Sequence, residues 1–220
     1  MGAAWHHERM SDSTWDVPAR IETERLVLRR YEPADAEQLG AVLGANIDHL
    51  KRYMAWIEYE PQTVEQRREW FLETHRQFDA GEEYILGMFD REGAFVGGTG
   101  FHSRHDPDRL EIGYWIDHEH EGQGLVTEAA AALTLVALEF AGSPLVGICC
   151  VPSNVRSSAI PQRLGFVAQK TPGEECFDAG EQVASVMWWA NRETLLTEPL
   201  ASVPRPATFD AAGAPLEWPA

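Results

Sequence analysis

The chain has 220 residues, 44% hydrophobic and 24% charged, enough apolar material for one ordinary domain with a full core. Its 18 basic and 35 acidic side chains leave a net charge of -17. That charge argues against nucleic-acid binding, where phosphate contacts dominate affinity, and leans toward a cationic or amine-bearing partner. No apolar run reaches the roughly 18 residues of a membrane span, and no basic segment followed by an apolar stretch suggests a signal peptide. Three cysteines, two of them adjacent at Cys149 and Cys150, do not make a disulfide framework, so a reducing, cytoplasmic setting is expected.

Residues 1–19 lack periodicity and read as a loose tail, and residues 198–220 are Pro/Ala-rich and read as a mobile tail. The folded unit is expected over 20–197. Within it, "RLVLRRY" (25–31) alternates as a strand, and "PADAEQLGAVLGA" follows as a helix with Ala36, Leu39, Val42 and Leu43 on one face. "TVEQRREWFLETHRQFDAG" is a second helix, with Thr63 and Gln66 as a capping box and Gly81 as its stop. Three strands come next: "YILGMFD" (84–90), "FVGGTGFHS" (95–103) and "RLEIGYWID" (109–117). "REG" (91–93) turns between the first two and "HDPD" (105–108) between the second pair. A glycine turn and a long Ala/Leu-rich helix lead to the strand "LVGICCV" (145–151). A helix over 155–164 and the strands "GFVAQK" and "ASVMWWANR" complete the set. The order β-α-α-β-β-β-α-β-α-β-β defines an α/β class with a mixed sheet, because a meander and a crossover helix must share it.

"HEHEGQGLVTEA" (118–129) sets two glycines at a helix entrance. The first amides of a helix lack intrahelical acceptors and sit at the positive end of its dipole, and missing Cβ atoms let an anion approach the backbone. The turn is therefore a candidate phosphate cradle, although a lone G-x-G also fits a plain loop. It is neither a G-x-x-x-x-G-K-[ST] loop nor a dinucleotide fingerprint.

Taken together, "EIGYWIDHEHEGQGLVTEA", "CCVPSNVRSSAIPQRLGF" and "TERLVLRRYEPADAEQL" resemble the GNAT acyltransferase superfamily over about residues 22–190, and within it the RimJ/RimL branch. The resemblance implies a GNAT fold with splayed central strands and an acetyl-CoA-dependent N-acetyltransferase. The acetyl group would pass directly to a primary amine, either a small molecule such as an antibiotic or aminoacyl-nucleotide, or a protein N-terminus. It implies that the turn wraps the CoA pyrophosphate with amides of Glu121, Gly122, Gln123, Gly124, Leu125 and Val126. Pantetheine would lie between strands 109–117 and 145–151, bonded to main-chain groups near Ile116 and Asp117, with Asn154 beside it. Asn154 also suits a helix N-cap.

By the same resemblance Glu111 is the general base and Ser157 the acid that reprotonates the CoA thiolate, with Ser158 its adjacent alternative. An exposed strand carboxylate and a helix-start serine are the plainer readings of Glu111 and Ser157. Where the superfamily carries Gln or Arg, Glu119 stands here, and Glu121 adds a second acid. Both carboxylates are expected to point away into solvent. Trp56 and Tyr59 in "MAWIEYEP" are candidates to stack an acceptor, and Glu58 and Glu60 to attract its charge; plain packing and solvated acids fit as well. "WHHE" and "HEHE" lack further ligand spacing, so no metal is expected. One ring of Trp188–Trp189 should face inward, leaving the other for a homodimer contact or the substrate face. The rival class is a non-catalytic acyl-CoA-binding or protein-interaction module that keeps the turn and Asn154 without depending on Glu111.

Overall fold

The computed structural model describes residues 15–102, 108–169 and 175–219, the last block without the side chains of 175–177. The predicted turn at 105–108 and the "WHHE" stretch lie largely outside the described residues. The strands are β1 (Arg20–Glu22), β2 (Leu26–Arg29), β3 (Glu83–Asp90), β4 (Phe95–His102), β5 (Leu110–Ile116) and β6 (Val146–Cys150). Then come β7 (Val167–Ala168), β8 (Glu175–Asp178), β9 (Glu181–Ala184), β10 (Val186–Ala190), β11 (Ala207–Phe209) and β12 (Pro215–Leu216). The helices are α1 (Ala36–Leu50), α2 (Val64–Asp79), α3 (Leu125–Leu135) and α4 (Val155–Arg163).

Ten strands form one mixed sheet in the order β12-β11-β1-β2-β3-β4-β5-β6-β10-β7, and β8–β9 form a separate hairpin. Each helix covers a face for reasons visible in its sequence. α2 starts at the predicted box, with Thr63 Oγ accepting from Gln66 N and the Gln66 side chain accepting from Thr63 N. It packs with α1 on one sheet face, around Tyr31, Phe71, Phe89 and Phe95; Tyr31 and Phe71 stack at 4.9 Å. α3 is apolar nearly all round because it is buried in the other layer, and a π-helical turn at Val136–Phe140 extends it.

The sheet changes direction at β5 and β6. They run parallel and pair at Leu110–Val146 and Glu111–Gly147. Beyond that point β5 stays bonded to β4 as far as Ile116, and β6 to β10 as far as Cys150, so the two strands part. The splay implied by the resemblance is present. Tyr114 stands in the opening, its hydroxyl donating to Ser157 O at 3.1 Å.

The described residues of both expected tails, 15–19 and 198–219, are packed against the fold. Val17 and Ala19 are buried, and Tyr84 Oη donates to Trp15 O at 2.9 Å. At the other end β11 pairs with β1 and so satisfies an edge that would otherwise be open. Trp218 meets Phe140 edge-on at 5.4 Å, and Leu200 is buried. The Pro/Ala-rich composition hid this segment, because its order depends on pairing with residues almost two hundred positions away. β1, the β8–β9 hairpin and the β11–β12 hairpin all lie outside the predicted element order.

Candidate active site

A cleft of about 1240 Å³ opens where β5 and β6 part. Its walls come from the end of α1, the tip of β5, the glycine turn, the start of α3 and the start of α4.

The glycine turn is shaped from three directions. Asp117 is buried, accepts from Glu119 N, and takes a 2.8 Å hydrogen bond from the fully buried Asn46 Nδ2 on α1. Asn46 Oδ1 in turn accepts from His118 N at 2.9 Å. Burial would raise the Asp117 carboxyl pKa, but donors from Asn46, Glu119 N and His120 outweigh it, so Asp117 stays below the usual carboxylate range. On the far side Arg25 donates to Gln123 O at 2.9 Å and pairs with Glu128 in the first turn of α3. Between these anchors Gly122 and Gly124 take φ of +73° and +79°, a left-handed geometry that costs a residue with a Cβ about 1–2 kcal/mol. Gly124 is the residue before α3, so the amides of Leu125, Val126 and Thr127 lack intrahelical acceptors at the cleft wall.

Most of the expected cofactor residues come together here. Ile116, Glu121, Gly122, Gly124, Leu125, Val126, Asn154 and Ser157 all line the cleft; Asp117 and Gln123 do not. Asp117 N is already spent on Val96 O of β4 at 2.9 Å. Main-chain groups alternate sides along a strand, so this bond turns those of Ile116 toward the opening. A strand-like ligand would thus meet Ile116, and the expectation for Asp117 is corrected to that of a buried anchor. Asn154 caps α4, its Oδ1 accepting from Ser157 N at 3.1 Å.

Ser157 rather than Ser158 lines the cleft. Its Oγ donates to Tyr114 Oη at 3.3 Å and lies 3.4 Å from Cys150 Sγ. Burial pushes the Tyr114 phenol well above its ordinary range, reinforced by Cys150, so the phenol keeps its proton at neutral pH. Tyr114 was legible in "GYW" but drew no role from the sequence.

The two acids of the turn behave differently. Glu119 is exposed, as expected. Glu121 is not directed into solvent: it lines the cleft, pairs with Arg156 on α4, and lies 3.4 Å from His49 Nε2 on α1. The Arg156 guanidinium and the His49 imidazole, both distant from it in sequence, flank it, so Arg156 compensates its charge beside the amides.

Glu111 projects from β5 one register short of the parting and is not in the cleft wall. It sits on the opposite sheet face from Tyr114, the face that carries Trp115. Trp56 is partly exposed and its ring lies 6.0 Å from that of Trp115; Tyr59 is exposed, and neither lines the cleft. Glu60 cannot serve as a surface attractor for cations, because it is buried in an ion pair with the equally buried Arg67. Trp188 packs inward, while Trp189 lies over Gly147 on the Glu111 face with the Arg109 guanidinium 5.2 Å from its ring.

A mixed sheet whose parallel strands β5 and β6 part, with a helix-entrance glycine turn and the Tyr114 and Ser157 hydroxyls lining one cleft at the gap, has the architecture of an acyl-group transferase. The chain belongs to the GNAT acetyltransferase family: the acetyltransferase (GNAT) domain model matches residues 25–167. YdaF of Bacillus subtilis (strain 168), named "Putative ribosomal N-acetyltransferase", is 31% identical over 147 residues, 66% of this chain and 80% of that protein. The "Ribosomal-protein-serine acetyltransferase" of Escherichia coli (strain K12) is 31% identical over 84 residues, 37% of this chain and 46% of that one. Among solved structures, RimL, the ribosomal L7/L12 α-N-protein acetyltransferase in complex with coenzyme A, superposes with a TM-score of 0.69 at 20% identity, covering 81% of this chain and 98% of that one. The microcin C7 self-immunity acetyltransferase MccE, in complex with acetyl-CoA and AMP, gives 0.68 at 19% identity, with coverages of 77% and 93%. At those identities the two structures establish the shared fold. The protein is an acyltransferase.

Proposed function

We propose that this acetyltransferase takes its acetyl group from acetyl-CoA and passes it directly to a primary amine, the N-terminus of a ribosomal protein being the favoured acceptor. The observation that carries the reading is the glycine turn at the mouth of the β5–β6 opening. Its amides and the α3 dipole suit a pyrophosphate, and Ile116 presents main-chain groups where a pantetheine arm would run. The fold neighbours that hold coenzyme A or acetyl-CoA support the same cofactor. The two curated relatives named for ribosomal proteins favour a peptide N-terminus over a small amine, and the net charge of -17 suits a basic partner.

In this reading the thioester carbonyl lies in the opening and the acceptor approaches from the Glu111 and Trp115 face. Glu111 takes a proton from the ammonium, the freed amine attacks the carbonyl, and the C–S bond breaks. Ser157, its hydroxyl hydrogen-bonded to the Tyr114 phenol, then protonates the thiolate and regains a proton from the nitrogen of the collapsing intermediate, which leaves the neutral amide. No nucleophilic cysteine is required: Cys150 is buried at the end of β6.

The acceptor class is tested by thiol release from acetyl-CoA against peptides with free serine or alanine N-termini, the same peptides blocked at the N-terminus, and a panel of small amines. Turnover confined to free N-termini supports the reading. Turnover with small amines alone would move the acceptor to the small-molecule class. Tight CoA binding without turnover on any amine would favour a non-catalytic acyl-CoA-binding module.

A further inference from the structure

Transfer from a thioester to an ammonium releases one proton overall. The N–C bond forms, the C–S bond breaks, one N–H proton ends on the CoA sulfur, and another must leave for solvent. In the role proposed for it, Glu111 receives that second proton and has to pass it on before the next turnover. The sheet face beside Glu111 carries a row of groups able to do so.

In the antiparallel register of β4 and β5, His102 stands directly opposite Glu111. Residues so opposed project to the same face with their Cβ atoms about 5 Å apart. In the β3–β4 register Glu83 stands directly opposite His102, and its carboxylate is hydrogen-bonded to His102 Nδ1. Glu83, His102 and Glu111 therefore form one row across three neighbouring strands.

The other edge of the imidazole is turned toward β5. A Cβ built on Gly113 would come 2.5 Å from His102 Nε2, so that edge of the ring lies against a backbone position that only glycine leaves clear. Gly113 is two residues past Glu111, where β5 and β6 have parted. The His102 and Glu83 side chains are 20% and 17% exposed, so water reaches the row.

We propose that His102, held through Nδ1 by Glu83, is a relay that carries the acceptor's proton from Glu111 to solvent. The inference rests on the acetyltransferase reading given above. Glu83 accepting the Nδ1–H bond selects the tautomer whose lone pair is on Nε2, the edge that faces β5. The proton moves from the Glu111 carboxyl to Nε2, and Nε2–H then gives it to water, which returns both groups to their starting state. His102 is thus a positioning residue that works through Glu111.

His102→Asn retains a donor toward Glu83 and removes Nε2. With acetyl-CoA and the best acceptor, it should lower kcat at neutral pH by roughly tenfold, leave the KM for acetyl-CoA unchanged, and regain activity when imidazole is added to the buffer. Glu83→Gln should shift the pH profile of kcat without moving that KM. Wild-type kcat and pH profile in His102→Asn would overturn the relay. So would a loss of kcat that imidazole does not restore in a variant that binds CoA normally. If His102→Asn does not fold, Glu83→Gln decides: an unshifted profile overturns the relay. Absence of thiol release by the wild type would sink both readings, whereas wild-type turnover with an unaffected His102→Asn would sink the relay alone.

Discussion

Glu121 of the glycine turn and Arg156 of α4 form an ion pair across the mouth of the cleft, and His49 of α1 closes on the same carboxylate at 3.4 Å. Three elements that would surround the cofactor phosphates are thus joined by one acid. The Arg156 side chain is 77% exposed, and an exposed pair of this kind is worth about 0–1 kcal/mol. Charge-assisted hydrogen bonds to a pyrophosphate are stronger, so the pair should yield when the cofactor enters.

Replacing Glu121 by Gln leaves Arg156 without its acid. The Kd for acetyl-CoA, measured by calorimetry, should fall about two- to fivefold at low salt, and the gain should shrink as salt rises. Arg156→Ala should change affinity in the opposite direction. Weaker binding by Glu121→Gln would mean that the acid holds the cleft open rather than competing with the phosphates.

Gly124→Asp should weaken CoA binding strongly. It forces a residue with a Cβ into φ +79° and sets a carboxylate against the amides at the start of α3. Gly124→Ala should cost about 1–2 kcal/mol of stability and show a milder loss of affinity. Unaltered CoA affinity in Gly124→Asp would remove the turn from the binding site.

Asn46→Ala should damage the turn from a distance. It deletes the donor to Asp117 and the acceptor for His118 N in a fully buried position, a loss of about 1–3 kcal/mol. A fall in Tm of several degrees, together with weaker CoA binding, is expected. Asp117 contributes stability above the pKa it has in the unfolded chain, and that contribution disappears as pH falls through its depressed folded value. Asp117→Asn should accordingly flatten the acid limb of the stability curve.

Tyr114→Phe should lower kcat by about tenfold with little change in the KM for acetyl-CoA, because it removes the phenol bonded to Ser157 and leaves the cleft wall in place. Burial keeps the phenol protonated in the folded chain beyond the pH at which an unfolded tyrosine ionises, near 10. Above that pH the unfolded state sheds the proton first, so stability should decline there in the wild type and less in Tyr114→Phe. Equal alkaline slopes in the two proteins would contradict this account of Tyr114.

The sequence made plain whatever depends on local pattern. The Thr63–Gln66 box fixed the start of α2, the strand and turn segments of 84–117 marked a three-strand meander, and Gly122 and Gly124 marked the left-handed turn ahead of α3. What it hid depends on long-range pairing. β11 finds β1 across most of the chain, and Glu60 is buried because Arg67 lies beside it inside the fold. Arg156 and His49 meet Glu121 only once α1, α3 and α4 are placed. In the same way His102 stands opposite Glu111 through strand register and not through spacing.

The most direct test of the account separates binding from chemistry at Glu111. Steady-state thiol release with the preferred acceptor and equilibrium CoA binding should be measured together for the wild type and Glu111→Gln. Transfer at the β5–β6 opening predicts a fall in kcat/KM for the acceptor of about a hundredfold or more at neutral pH with an unchanged Kd for CoA. Wild-type kcat/KM in Glu111→Gln would contradict it.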